Sequence, residues 1–194
     1  MGKQTVRLLR SIIESEEGIQ FMSVYDRVRR ALPLAFISLL DTMTGTRLSR
    51  LRQKLLVAAG VSCSPTARVS SGSQFHFNNV RIGDDSWVGA NAHFFSTHTA
   101  EISLGARCDI GPDCTFVVGT HSIGDQSRRA GDGQSRPITI GEGTWIGARV
   151  TVLGGAHVGS GCVIAAGSVV TKSFPSDSLI AGVPARLVRK LVED

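Results

Sequence analysis

Long apolar runs are missing from this chain of 194 residues. The longest candidate, Ala31 to Leu40, contains Pro33 and Ser38 and has about half the ~20 residues that a helix needs to cross a bilayer, so no membrane span is expected. Aromatics make up only 6% of the chain and do not interleave with a basic patch, which argues against a nucleic-acid partner. There are four cysteines and no Cys-x-x-Cys spacing, so neither a thiolate metal centre nor a disulfide framework is expected. The opening residues, MGKQTVRLLRSIIESEEG, carry acids where a secretory cleavage site would fall, and a cytoplasmic location is expected. Hydrophobic residues are 42% of the chain, enough for a packed core.

Glycine, in contrast, is plentiful: 20 of the 22 lie beyond residue 44, which excludes a helical bundle for most of the chain. Residues 1–60 read as a helical segment. Ser23 and Asp26 form a capping pair before Val24–Leu32, Pro33 interrupts the pattern, and Thr44-Gly45-Thr46 breaks it. Leu48, Leu51 and Leu55 then share one helical face amid Arg47, Arg50, Arg52 and Lys54, and Gly60 closes the element. The net charge of +5 belongs here: residues 1–60 hold ten Lys/Arg against five Asp/Glu, whereas residues 61–194 hold eleven of each. The segment is expected to pack as a cap on the main domain. A second reading rests it peripherally on an anionic membrane surface at the inner face of the membrane.

From about residue 61 the period becomes six. Ile140, Ile146, Val152, Val158, Ile164 and Val170 follow one another without a slip. Ile, Leu and Val are 47 of 194 residues, so six hits in a fixed frame would arise by chance about once in 5,000 trials. The second position is often Gly (Gly141, Gly147, Gly159), and the fifth is mostly small (Thr144, Val150, Ala156, Cys162, Ser168). Upstream, Ile82, Val88 and Phe94, then Leu104, Ile110 and Phe116, keep the frame, with Ser86, Ala92, Cys108 and Cys114 at fifth positions. A weaker set is Cys63, Val69 and Phe75. Hexads in threes imply a triangular coil of about 18 residues per turn, stacked into one cooperative column of about five coils. The first residue fills the prism and the small fifth residue faces inward at a corner. The cysteines are therefore expected to be buried, reduced, space-filling thiols.

Several motifs punctuate this frame: Gly119-Thr120-His121, Pro137-Ile138-Thr139-Ile140-Gly141, Trp145-Ile146-Gly147, Gly167-Ser168-Val169-Val170-Thr171-Lys172 and Ala181-Gly182-Val183-Pro184-Ala185-Arg186. With them the sequence resembles the hexapeptide-repeat acyltransferases over residues 80–190, within them the sugar O-acetyltransferase branch of maltose, galactoside, nodulation-factor and exopolysaccharide acetyltransferases. The resemblance implies a mainly β protein. Its parts would be an N-terminal helical segment (1–60), a left-handed parallel β-helix (61–184) with a loop at 119–137, and a short C-terminal helix (185–194). It also implies acetyl-CoA as co-substrate, a sugar or glycan acceptor, direct transfer within a homotrimer, and no metal. The first 60 residues do not match the N-terminal segment of the maltose and galactoside enzymes.

His121 stands where the frame stops and a polar loop begins; an ordered loop of that length usually has a function. In the family the matching His is the general base, a role that suits an imidazole near neutral pH. The family's acetyl-CoA groove maps onto Trp145, Ala148, Ala166, Thr171, Lys172, Arg186 and Arg189. The small alanines would let the pantetheine arm approach the backbone, the cations would meet phosphates, and Trp145, sixth in its hexad, should face outward. Asn91 and His98 are candidate acceptor contacts, with a turn role as the alternative for Asn91. Three other functions stay open: acetylation of an amino sugar or antibiotic; a γ-class carbonic-anhydrase-like zinc enzyme using His76, His93 and His98; and a non-catalytic β-helix scaffold.

Overall fold

Each hexad becomes a strand of two or three residues and a tight turn. A computed structural model of the chain describes residues 48–191. The expected helices before residue 48 lie outside the described residues. Helix α1 (Ser49–Ala58) leads into the first coil, β1 (Ser62–Cys63), β2 (Arg68–Val69) and β3 (Gln74–Phe75). The second coil is β4 (Val80–Ile82), β5 (Trp87–Val88) and β6 (His93–Phe95), and the third is β7 (Ile102–Leu104), β8 (Asp109–Ile110) and β9 (Thr115–Val117). A hairpin of β10 (Gly119–Ile123) and β11 (Ala130–Ser135) then leaves the column. The chain returns for a fourth coil, β12 (Ile138–Ile140), β13 (Trp145–Ile146) and β14 (Thr151–Leu153), and a fifth, β15 (His157–Val158), β16 (Val163–Ile164) and β17 (Val169–Val170). Strands β18 (Ser178–Gly182) and β19 (Ala185–Lys190) finish it.

The result is a left-handed β-helix with three parallel faces. The first face is β1-β4-β7-β12-β15, the second runs from β2 through β5, β8, β13 and β16 to β18 and β19, and the third is β3-β6-β9-β14-β17. Register is exact to the residue: Ile82, Leu104, Ile140 and Val158 stack, as do Val88, Ile110, Ile146 and Ile164. All are buried, and each such side chain contributes about 1.5–3 kcal/mol. On the third face Phe75, Phe94 and Phe116 stack with ring centroids 4.7 and 5.0 Å apart, the spacing of the strands that carry them.

The second-position glycines are required by crowding. A Cβ on Gly141 would lie 2.4 Å from the Ser160 nitrogen of the next coil, and one on Gly111 would lie 2.6 Å from the Ala148 nitrogen. The fifth positions do more than fill space. Ser86 Oγ donates to the Gly105 carbonyl (2.8 Å), Cys108 Sγ to Gly141 (3.2 Å), Thr144 Oγ1 to Gly159 (3.2 Å) and Cys162 Sγ to Pro175 (3.3 Å). All four cysteines are buried and free; burial pushes their thiols up, that of Cys63 to about 11.

Two expectations are corrected. Residues 185–190 form strand β19, not a helix: the open edge of β18 needs partners for its backbone groups, and the chain folds back antiparallel to supply them. In α1, the buried face is Ser49, Arg52, Gln53 and Leu56, whereas Leu51 is exposed and Leu55 only half-buried. The base of the prism presents backbone carbonyls, and the polar face answers them: Gln53 Nε2 donates to Cys63 O at 3.0 Å. Gly60 does close the helix, with φ +92° and a Val61 N–H to Leu56 O bond of 3.0 Å that completes a Schellman turn.

Candidate functional site

The expected loop at 119–137 is an antiparallel hairpin. It leaves the column at the edge between the third and first faces, and its base is tied by the Arg136 N–H to Val118 O bond of 3.0 Å, with Val118 fully buried. At its far end the Asp125 carboxylate accepts from the Ser127 hydroxyl (2.6 Å) and from the N–H groups of Ser127 (2.8 Å) and Arg128 (3.2 Å). Those bonds, the hydroxyl's first, hold the Asp125 carboxyl below the usual carboxylate range.

His121 lies on β10 opposite Gly133, with its side chain exposed. Its Nδ1 sits 2.9 Å from the Gly131 carbonyl oxygen. A carbonyl can only accept, so Nδ1 carries a proton, and in the neutral form of the ring the lone pair stands on Nε2, where it can take a substrate proton. Gly131 thus orients the imidazole. Gly131 lies on β11, and a Cβ there would press to 2.7 Å from Ser122 Oγ and 3.0 Å from Ser122 O, so a side chain at this position would crowd the strand that aims the carbonyl. Sequence reasoning missed Gly131; its signal was the glycine-rich Gly131-Asp132-Gly133 run, whose register across the hairpin spacing alone does not show.

The other candidates fall on two edges of the column. Trp145 points outward from the second face and is 59% exposed, as its hexad position requires. Ala148 and Ala166 stack one coil apart on the edge between the second and third faces, joined by Gly167 N–H to Ala148 O at 2.9 Å. Arg186 and Arg189 are exposed on β19, at the end of the second face. Thr171 and Lys172 follow β17 onto the hairpin's edge, with Lys172 Nζ 5.7 Å from the Phe174 ring centroid. His98 is exposed on that same edge, in the connection from β6 to β7. Asn91 lies on the edge of Ala148 and Ala166, with φ +57° and its Nδ2 donating to Asp113 Oδ1 at 3.1 Å, the geometry of a turn residue. One chain therefore gathers Trp145, Ala148 and Ala166 on one side of the third face and His121, His98 and Lys172 on the other.

Among the described residues no three His, Cys, Asp or Glu side chains gather as a metal-ligand set. His76 and His93 instead stack on Phe95, at 4.0 and 6.1 Å between ring centroids. No described helix is long and apolar enough to cross a membrane.

Comparison with known proteins agrees with this geometry. Residues 137–172 match the bacterial transferase hexapeptide family (six repeats). The galactoside O-acetyltransferase of Escherichia coli K12 is 35% identical over 114 residues, covering 59% of this chain and 55% of that protein. The chain thus spans little more than half the length of the curated relatives it matches. A galactoside acetyltransferase solved in complex with coenzyme A superposes with a TM-score of 0.70 at 27% identity, covering 89% of this chain and 85% of that one. A hexapeptide-repeat acetyltransferase of Vibrio cholerae complexed with acetyl coenzyme A gives 0.64 at 26% identity, covering 89% and 92%. In repeat, coil and sequence alike, the chain is similar to the hexapeptide-repeat acyltransferases of the galactoside and maltose O-acetyltransferase type.

Proposed function

We propose that the chain is an acetyl-CoA-dependent O-acetyltransferase acting on a sugar hydroxyl of a glycan or glycan precursor, working as a homotrimer. The observation that carries this reading is the tautomer lock on His121: Nδ1 is committed to Gly131 O at 2.9 Å, and Nε2 is left to act as base. In the reaction the acceptor oxygen attacks the thioester carbonyl while Nε2 takes the hydroxyl proton. The carbon–sulfur bond then breaks, and the imidazolium returns the proton to the leaving thiolate. Both substrates are held together, so proximity serves in place of a covalent enzyme intermediate. Trp145, Ala148, Ala166, Thr171, Lys172, Arg186 and Arg189 line the acetyl-CoA groove, and His98 and Asn91 face the acceptor.

The split of these residues across two edges supports the trimer, since a second copy is needed to bring a groove to each His121. The third face between them is apolar enough to be covered: Phe95 and Leu153 are 36% and 37% exposed, beside half-buried Val117 and Val169. His121→Ala should lower kcat by about 10²- to 10⁴-fold while leaving the Kd for acetyl-CoA unchanged. Steady-state acetylation of a sugar panel, with calorimetric titration of acetyl-CoA, measures both. Undiminished turnover in the variant would sink the reading.

A further inference from the structure

A groove of about 500 Å³ lies away from the hairpin, between α1 and the base of the second face. Its walls include Arg50 of α1, Thr66, Arg68, Asp85, Trp87 and Asp109. The strand register puts Arg68 directly below Trp87 and Asp109 directly above it, each one strand spacing of about 4.8 Å away. The Trp87 indole is half-buried and so offers a fixed apolar surface, while the four charged residues are exposed around it.

Three arginines of the middle coils are neutralised by a carboxylate: Arg81 by Glu101, Arg107 by Glu142 and Arg149 by Asp113. Among the described residues, Arg50, Arg68, Asp85 and Asp109 make no such pair, and all four line the groove. Two guanidinium groups and two carboxylates balance, which disfavours a polyanion and equally a polycation. An indole face flanked by donors and acceptors of both kinds instead matches a ligand with an apolar ring face and a rim of hydroxyls.

We propose that this groove is a second glycan subsite, holding a neutral sugar unit on Trp87 with its hydroxyls bound by Arg68 and Asp109. This rests on the acetyltransferase reading and narrows it: the preferred acceptor is an oligosaccharide, and a free monosaccharide is acetylated without help from this groove. The unit held here lies remote from the unit that is acetylated.

The chain has two tryptophans, so ¹⁵N-indole spectra of the full protein show two side-chain signals, assigned by Trp87→Phe. Maltohexaose, chitohexaose and a galacto-oligosaccharide are titrated to millimolar concentration, with acetyl-CoA in a separate titration. At least one oligosaccharide should move the Trp87 signal, and glucose, galactose and glucosamine should not. Trp87→Ala and Asp109→Asn should each weaken binding of that oligosaccharide about tenfold, with an unchanged melting temperature and unchanged acetylation of monosaccharides. A Trp87 signal that stays still with all three oligosaccharides, or equal affinity in both variants, overturns the subsite. An acetyl-CoA titration that leaves both signals still, with no turnover, would instead overturn the acetyltransferase reading and leave the sugar result standing.

Discussion

Ser86, Cys108, Thr144 and Cys162 occupy one position in four successive coils, and each donates a hydrogen to a carbonyl of the coil that follows. What the site needs is a small donor, and serine, threonine and cysteine meet that need interchangeably. Two of these side chains also accept: Ser86 Oγ takes the Cys108 N–H at 3.0 Å, and Thr144 Oγ1 takes that of Cys162 at 3.4 Å. Cys108→Ser should therefore stay within about 1 kcal/mol of the parent. Cys108→Ala strands the Gly141 carbonyl in the interior and should cost about 1–3 kcal/mol. Urea denaturation of the two variants checks this: equal losses in both would mean that volume, not the hydrogen bond, governs the position.

At the scale of the element, a coil is too short to hold itself. Its strands of two or three residues bond almost wholly to the coils above and below, so close approach matters more than local propensity. Gly141→Ala drives a Cβ to within 2.4 Å of the Ser160 nitrogen and 2.5 Å of the Gly159 carbon, all rigid backbone, and should cost about 3 kcal/mol or more. Two residues on, Gly143 has φ +68° with nothing within 4 Å of an added Cβ, and its counterparts Asp85 and Arg107 adopt φ +55° and +52°. Gly143→Asn should cost under ~1 kcal/mol, since Asn tolerates that conformation. Thermal melts of the pair separate crowding from backbone conformation as the reason for glycine. This contrast also marks what the sequence could reveal. A strict period of six states which way each side chain points, so the prism interior, the corner thiols and the outward Trp145 were all legible. Strand β19 and the polar buried face of α1 were not, because each is decided by an open end of the column seeking backbone partners. The Gly131 carbonyl was hidden for a related reason: it lies ten residues from His121 in the chain and meets it only through the register of the hairpin.

At the scale of the whole molecule, the third face separates the proposed base from the proposed groove. The imidazole stands on one edge, the Trp145–Ala148–Ala166 surface on the other, and a single column has no means to fold one onto the other. If a neighbouring column supplies the missing half, two separately dead proteins should repair each other. On the proposed reading, His121→Ala lacks the base but keeps an intact groove. A variant carrying Ala148→Trp and Ala166→Trp keeps the base but fills the groove. Unfolded together in equal amounts and refolded, they assemble at random, and a site is whole when a base from the second variant meets a groove from the first. That occurs for about one quarter of sites, so mixed trimers should recover about 25% of parental turnover from two inactive parents. Simple mixing without unfolding should recover less, in proportion to subunit exchange. Activity that stays at the level of the parents after joint refolding, with trimers verified by light scattering, would show that each column builds its site alone.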